Sequence, residues 1–228
     1  MAFDLSRPET YQPNDTALQA LRAVELVAVV GPSGVGKTTL MKRASAANPN
    51  IHFVITDVSR SARAGEQDGV DYYFQSRADM LRLADTGAYV QLMVHPSGDV
   101  YATRPDSYRK GSINMMAVLA DEIPKFRQLP FSRARTIFVV PPDFATWQQR
   151  RVLHNFTDEQ NSKRLDEARR SFSFALSDPD TLFVVNDDLT KALSDFNYLI
   201  VDSTLTAERN DQQIAARTLV RHLLIGLE

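Results

Sequence analysis

The chain has 228 residues, 43% of them hydrophobic and 24% charged, and a formal net charge of −2. This composition suits one buried core with small inserted lobes and excludes general disorder, while the near balance of charge leaves no cationic field to gather nucleic acid or an anionic membrane. The absence of cysteine excludes a disulfide framework, thiolate metal sites and thiol catalysis.

The four histidines, His52, His95, His154 and His222, are far apart and lack ligand-like spacing. The N-terminus has no basic segment ahead of an apolar run, and no stretch reaches the ~18 apolar residues of a membrane span, so a cytoplasmic protein is expected.

In chain order, Met1 to Ala17 is polar, carries Pro8 and Pro13, and reads as an irregular lead-in within an N-terminal extension over 1–24. From Glu25 the continuous apolar run to Val30 predicts a central strand covered on both faces, ended by Gly31. Similar runs at Phe53 to Thr56, Met115 to Leu119, Thr136 to Val140 and Leu182 to Val185 alternate with helix-compatible stretches, a pattern that predicts a parallel α/β sheet. Between Ser59 and Thr103 the texture changes to polar turns, a short helix at Arg77 to Asp85 and a strand-like Ala88 to Val94, as in an inserted lobe. Thr146 to Phe172 is helical and Arg-rich, with a polar break at His154 to Asp158 and Thr157 as a cap, which suits a lid. Thr206 to Leu227 predicts a closing helix.

The strongest local signal is Gly31-Pro32-Ser33-Gly34-Val35-Gly36-Lys37-Thr38, which fits G-x-x-x-x-G-K-[ST] in full between a predicted strand and a predicted helix. Glycines let the backbone curl with its N–H groups inward, and the helix N-terminus adds positive dipole. Lys37 reaches the β and γ phosphates, and Thr38 offers a hydroxyl to Mg²⁺. Gly31, Ser33, Gly34, Val35, Gly36, Lys37, Thr38 and Thr39 are therefore the expected ATP-binding residues, with ATP and Mg²⁺ as cofactors.

Beyond this loop, Thr56, Arg60, Arg63, Gly65-Glu66, Asp68-Gly69 and Asp71-Tyr72-Tyr73-Phe74 follow at spacings that resemble the guanylate kinase family. Gly98-Asp99-Val100-Tyr101-Ala102-Thr103, Pro141-Pro142, Lys163-Arg164-Leu165 and Val184-Val185-Asn186-Asp187-Asp188-Leu189 are similar to further landmarks of that family. The resemblance implies a P-loop NTPase parallel sheet core flanked by helices, with an inserted acceptor-binding lobe and a helical lid. The implied domain covers 25–205, with core 25–58, 104–145 and 173–205, acceptor lobe 59–103 and lid 146–172, followed by a C-terminal helix over 206–228. It also implies that Thr56, Arg60, Arg63, Glu66, Tyr72, Gln91, Tyr101 and Thr103 hold a small phosphorylated acceptor. Asn186 joins the ATP site, and Lys37, Arg150, Arg151 and Arg164 act on the transferring phosphoryl group.

Two departures bear on the acceptor. Where the family reads guanine with a Glu, this chain has Gln91, and an amide offers one acceptor and a donor where a carboxylate offers two acceptors. Where the family ends a core strand on Asp-x-Asp, this chain has Ala117-Val118-Leu119, or with a two-residue shift Leu119-Ala120-Asp121, which leaves Asp121 as the candidate metal contact beside Thr38. The expected activity is transfer of the γ-phosphoryl of ATP to a nucleoside monophosphate such as GMP or dGMP. The alternatives are a ribose 1,5-bisphosphate kinase and a kinase-shaped binding module.

Overall fold

Six consecutive residues, Glu25–Val30, carry five buried side chains and form β1, the middle strand of a five-stranded sheet whose order is β2 (Ile51–Phe53), β7 (Ile113–Ala117), β1, β8 (Arg133–Val140) and β9 (Thr181–Val185). The computed structural model describes residues 3–63, 65–95, 97–152, 157–202 and 204–227. Ahead of β1 lies helix α1 (Asp15–Leu21), whose first turn is capped by Asn14 accepting from the Ala17 N–H. The loop after β1 runs into α2 (Lys37–Ala47), and β2 (Ile51–Phe53) returns to the edge of the sheet. Every pairing in this sheet is parallel, which requires crossovers and puts helices on both faces.

The chain then changes sheets. The single strand expected over Phe53 to Thr56 is two: Val54 N–H still donates to Met115 O at 2.8 Å, and β3 (Thr56–Val58) opens a second, four-stranded sheet. With β4 (Tyr72–Phe74), α3 (Arg77–Asp85), β5 (Gln91–Val94) and β6 (Val100–Thr103) it forms a lobe whose strand order is β4-β3-β6-β5. The strand expected from Ala88 starts only at Gln91, because a side chain from the N-terminal segment has taken the backbone groups of Tyr89.

The return to the main sheet uses β7 (Ile113–Ala117), α4 (Ile123–Gln128) and β8 (Arg133–Val140). Helix α5 (Phe144–Val152) and helix α6 (Asp158–Ser177) follow, the latter opened by a capping box between Thr157 and Gln160. Most of the polar break expected from His154 lies outside the described residues. The last elements are β9 (Thr181–Val185), α7 (Leu189–Val201) and α8 (Ala207–Ile225). Between sheet and lid, Trp147 meets Phe172 edge-on at 5.6 Å and Phe172 meets Phe138 at 5.9 Å, so α5 and α6 share the main core.

Strand β9 is an edge, and its buried residue Phe183 needs partners for its backbone. Gln213 of α8 supplies both: Oε1 accepts from the Phe183 N–H at 2.6 Å and Nε2 donates to Phe183 O at 2.9 Å. The amide thus stands where a sixth strand's peptide would pair. Gln213→Leu, which keeps the apolar bulk and removes both bonds, is expected to lower unfolding free energy by about 1–3 kcal/mol in a denaturant titration.

Candidate functional site

The loop between β1 and α2 is a curl of left-handed glycines. Gly34 and Gly36 have φ of 84° and 91°, and a Cβ at Gly31 would meet Val139 O at 2.6 Å. A backbone that turns its N–H groups inward must turn carbonyls outward, and here those carbonyls are bonded by side chains. Trp147 Nε1 donates to Ser33 O at 2.8 Å and Asn186 Nδ2 to Val35 O at 2.8 Å. Lys37 Nζ donates to Pro32 O at 2.9 Å and to Gly31 O. Burial draws the Lys37 ammonium down to about 8, with Glu167 and Arg164 of α6 near enough to act on it in opposite directions. Thr38 and Thr39 stand exposed at the first turn of α2.

The lobe turns one face of its sheet toward the cleft. Paired strand residues share a face, so the register gathers Thr56, Tyr72, Phe74, Gln91, Met93, Tyr101 and Thr103 on one side. Arg60 lies over this side, its guanidinium 4.9 Å from the Tyr72 ring and 5.8 Å from Phe74, with Nε donating to Tyr101 Oη at 3.4 Å. Glu66 grips it through two bonds of 2.6 and 2.7 Å, which holds the carboxyl below its usual range and the guanidinium above its own. Glu66 also accepts from the Arg63 N–H, and the Arg63 residue is exposed. Gln91 is half-buried and its Oε1 has no hydrogen-bond partner. Thr103 lies deeper than the rest, fully buried, with its hydroxyl shared with Tyr108 Oη at 2.9 Å.

Lid and lobe meet where the expected Arg164 finds His95 and Glu167, two residues that sequence reasoning did not place in the site. His95, just past β5, sits 5.7 Å from the Tyr101 ring, and its Nε2 lies 2.9 Å from Arg164 NH1. Arg164 also donates to Glu167 at 2.6 Å, three residues on along the same face of α6. On the other flank, Lys42 of α2 bonds Asp71 of the lobe. The available signal was spacing alone: His95 follows directly on the strand that carries Gln91, and Glu167 lies one turn beyond Arg164.

Two expected site residues take protein partners of their own. Arg151 is 3% exposed, lies over the Trp147 ring at 5.0 Å and is bonded to Gln148 and Asn161, so it braces the lid beneath the loop. Asp121 is bonded by Arg170 of α6 at 2.9 Å on an exposed surface, and among the described residues no three His, Asp or Glu gather into a metal cluster. Asn186 is likewise buried beneath the loop, where it shapes the backbone. A Cβ at Gly36 would collide with its amide. Arg150 NH1 donates to Asn186 O at 2.8 Å, beside the loop. The strand end expected to carry a carboxylate has Ala117, exposed and in register with Val29, two residues before the loop.

Residues 23–203 match the family model described as "Guanylate kinase". The chain is 36% identical over 173 residues to the guanylate kinase of Parasynechococcus marenigrum, covering 74% of this chain and 93% of that protein. It is 30% identical over 194 residues to the guanylate kinase of Pseudomonas fluorescens, covering 82% and 92%. The crystal structure of guanylate kinase from Anaplasma phagocytophilum shares its fold, with a TM-score of 0.59 at 22% identity over 87% of this chain and 94% of that one.

Burial draws His95 down to about 4, with Arg164 adding to the effect and Glu167 and Asp99 opposing it. The imidazole is therefore neutral in the folded chain at pH 6, where the unfolded chain is partly protonated. Between about pH 6.5 and 4 the unfolded chain binds the extra proton, so stability is full above that window and falls as the pH drops through it. His95→Gln is expected to flatten the acid side of a Tm-against-pH curve between about pH 7 and 4.5 relative to the unaltered chain.

Proposed function

The chain belongs to the guanylate kinase family, and on that premise we propose that it transfers the γ-phosphoryl group of ATP to the phosphate of GMP. The observation that carries this reading is the apposition of two surfaces suited to phosphate, the glycine curl around Lys37 and the Arg60, Tyr72 and Tyr101 face, with Arg164 bonded to His95 of the lobe and near enough to Lys37 to act on its ammonium. Such transfer requires little covalent chemistry from the protein and depends on placing donor and acceptor in line while neutralising charge. Loop amides and Lys37 hold the donor phosphates, and their negative charge offsets the burial that weakens the ammonium. Arg60, with Arg63 and the tyrosine hydroxyls, holds the acceptor phosphate. Arg164 lies between the two surfaces, where charge develops, and Arg150 flanks the loop.

The exposed Thr38 hydroxyl at the start of α2 suits a magnesium ion, which takes few protein ligands and completes its shell from phosphate oxygens and water. The ion's contribution is to neutralise phosphate charge. Among the described residues no helix is long and apolar enough to cross a membrane, in keeping with an enzyme acting on small nucleotides in the cytoplasm.

Gln91 tunes the acceptor. Its unpartnered, buried Oε1 supports reading of one N–H on the base, but a single amide oxygen cannot accept from both the ring N1–H and the 2-amino group of guanine as a carboxylate can. The 2-amino group then contributes little to selection. Steady-state transfer from ATP and Mg²⁺ to GMP, dGMP, IMP, AMP, CMP, UMP and ribose 1,5-bisphosphate tests this, with Lys37→Ala as the inactive control. GMP and IMP are expected to turn over with similar kcat/KM, and Gln91→Glu to favour GMP over IMP by about tenfold. Turnover of ribose 1,5-bisphosphate alone would replace the acceptor, and silence across the panel with ATP still bound would replace the enzyme by a binding module.

A further inference from the structure

The N-terminal segment, read from its composition as an irregular lead-in, is packed against the back of the acceptor lobe. Phe3 and Leu5 pack beside a buried cluster of Tyr11, Met80, Ala84, Tyr89, Leu92, Val100 and Ala102, all on the side of the small sheet that faces away from Arg60. Tyr11 meets Phe3 edge-on at 5.5 Å, and its hydroxyl makes two bonds, donating to Tyr89 O at 2.7 Å and accepting from Tyr89 N–H at 2.8 Å. Farther along, Asn14 N–H donates to Gly87 O at 2.8 Å and its side chain to Thr86 O at 3.0 Å. The fit at this point is close: a Cβ at Gly87, whose φ is 68°, would lie 2.9 Å from Asn14 N and 3.1 Å from Gln12 O. Phe3 N–H reaches Asp85 at the end of α3.

These bonds fall where the lobe has least support of its own. Strand β5 is the edge of the small sheet, and Tyr89, two residues before it, is fully buried. Without Tyr11 its N–H and C=O would be buried and unpaired. From Tyr89 the connection continues inward, its hydroxyl 3.3 Å from Asp57 Oδ2, and Asp57 accepts from Arg104 at 3.1 Å at the exit from β6. Asp57 lies in β3 beside Thr56, and Gln91 follows Tyr89 by two residues. The segment then enters α1, whose Leu21 is buried in the main core. One short stretch, outside residues 23–203 that match the family, is thus anchored to both bodies.

We infer that Phe3 to Asn14 is a positioning clamp for the acceptor lobe, pinned by Tyr11 and acting on the strand that presents Gln91. The assignment to acceptor binding rests on the function proposed above. The clamp holds β5 from behind, so loosening it weakens the acceptor's hold without reaching the phosphate loop.

The test uses the full chain with Tyr11→Phe, which keeps the ring against Phe3 and removes only the hydroxyl. Hydrogen exchange is followed at residues 88–94 with the phosphate loop as internal reference, and KM for GMP, KM for ATP and kcat are measured. Exchange at 88–94 is expected to accelerate and KM for GMP to rise about tenfold, with KM for ATP and kcat held within about twofold. Phe3→Ala, which leaves the hydroxyl and removes the edge-on contact, is expected to give a smaller change of the same pattern. Unchanged exchange at 88–94 overturns the clamp. Equal rises in both KM values, or a fall in kcat alone, overturn its link to the acceptor. An unaltered chain that does not phosphorylate GMP defeats the proposed function instead, and exchange at 88–94 then decides the clamp by itself.

Discussion

The phosphate loop imposes one demand from which much of the surrounding architecture follows. A backbone curled so that its amides converge must diverge its carbonyls into protein, and buried carbonyls need donors. Trp147 meets the demand at Ser33, Asn186 at Val35 and Lys37 at Gly31 and Pro32. To deliver Trp147, α5 must lie directly under the loop, and to deliver Asn186, β9 must end beside it. Arg151, stacked on Trp147, and Arg150, bonded to Asn186 O, stiffen these two supports. The glycines are needed because a side chain at Gly31 would run into the Val139 carbonyl, and one at Gly36 into the Asn186 amide that holds the curl.

The second organising feature is the way charge joins lobe and lid across the cleft. Arg60 is fixed by Glu66 and touches Tyr101; Tyr101 lies against His95; His95 meets Arg164, which Glu167 holds in turn. Lobe and lid are connected through groups that the proposed function assigns to phosphate, so a ligand that displaces one partner changes the balance for the others. Keeping His95 neutral is part of this arrangement, because a neutral ring nitrogen can accept from the guanidinium whereas a protonated one would repel it.

Each sheet has a side chain paired with backbone at an edge strand or just before it. Gln213 pairs with the backbone of Phe183 at the rim of the main sheet, and Tyr11 pairs with that of Tyr89 where the small sheet begins its last strand. In each case a polar side chain carried by a terminal segment pairs with one residue's backbone as a neighbouring strand's peptide would, which satisfies its N–H and C=O. The terminal segments are therefore structural parts of the two sheets they cover.

How much of this was legible in the sequence depended on range. The parallel core, the phosphate loop and the family follow from contiguous signals: an unbroken apolar run ending in Gly31, eight motif residues in a row, and the short spacings from Thr56 to Phe74. Such signals are local because periodicity and turn chemistry act over a few residues. The small-sheet register that turns Tyr101 and Thr56 to one face, the partner taken by Asp121, and the meeting of His95 with Arg164 depended on residues tens of positions apart. The clamp is the extreme case, since Tyr11 and Tyr89 are 78 residues apart and the segment's composition reads as loop. Sequence alone determined which chemistry this chain carries, because that chemistry is written in adjacent residues. Only the tertiary structure decided which arginines face the cleft and what holds the lobe in place, because burial and hydrogen-bond partners are properties of the packed chain.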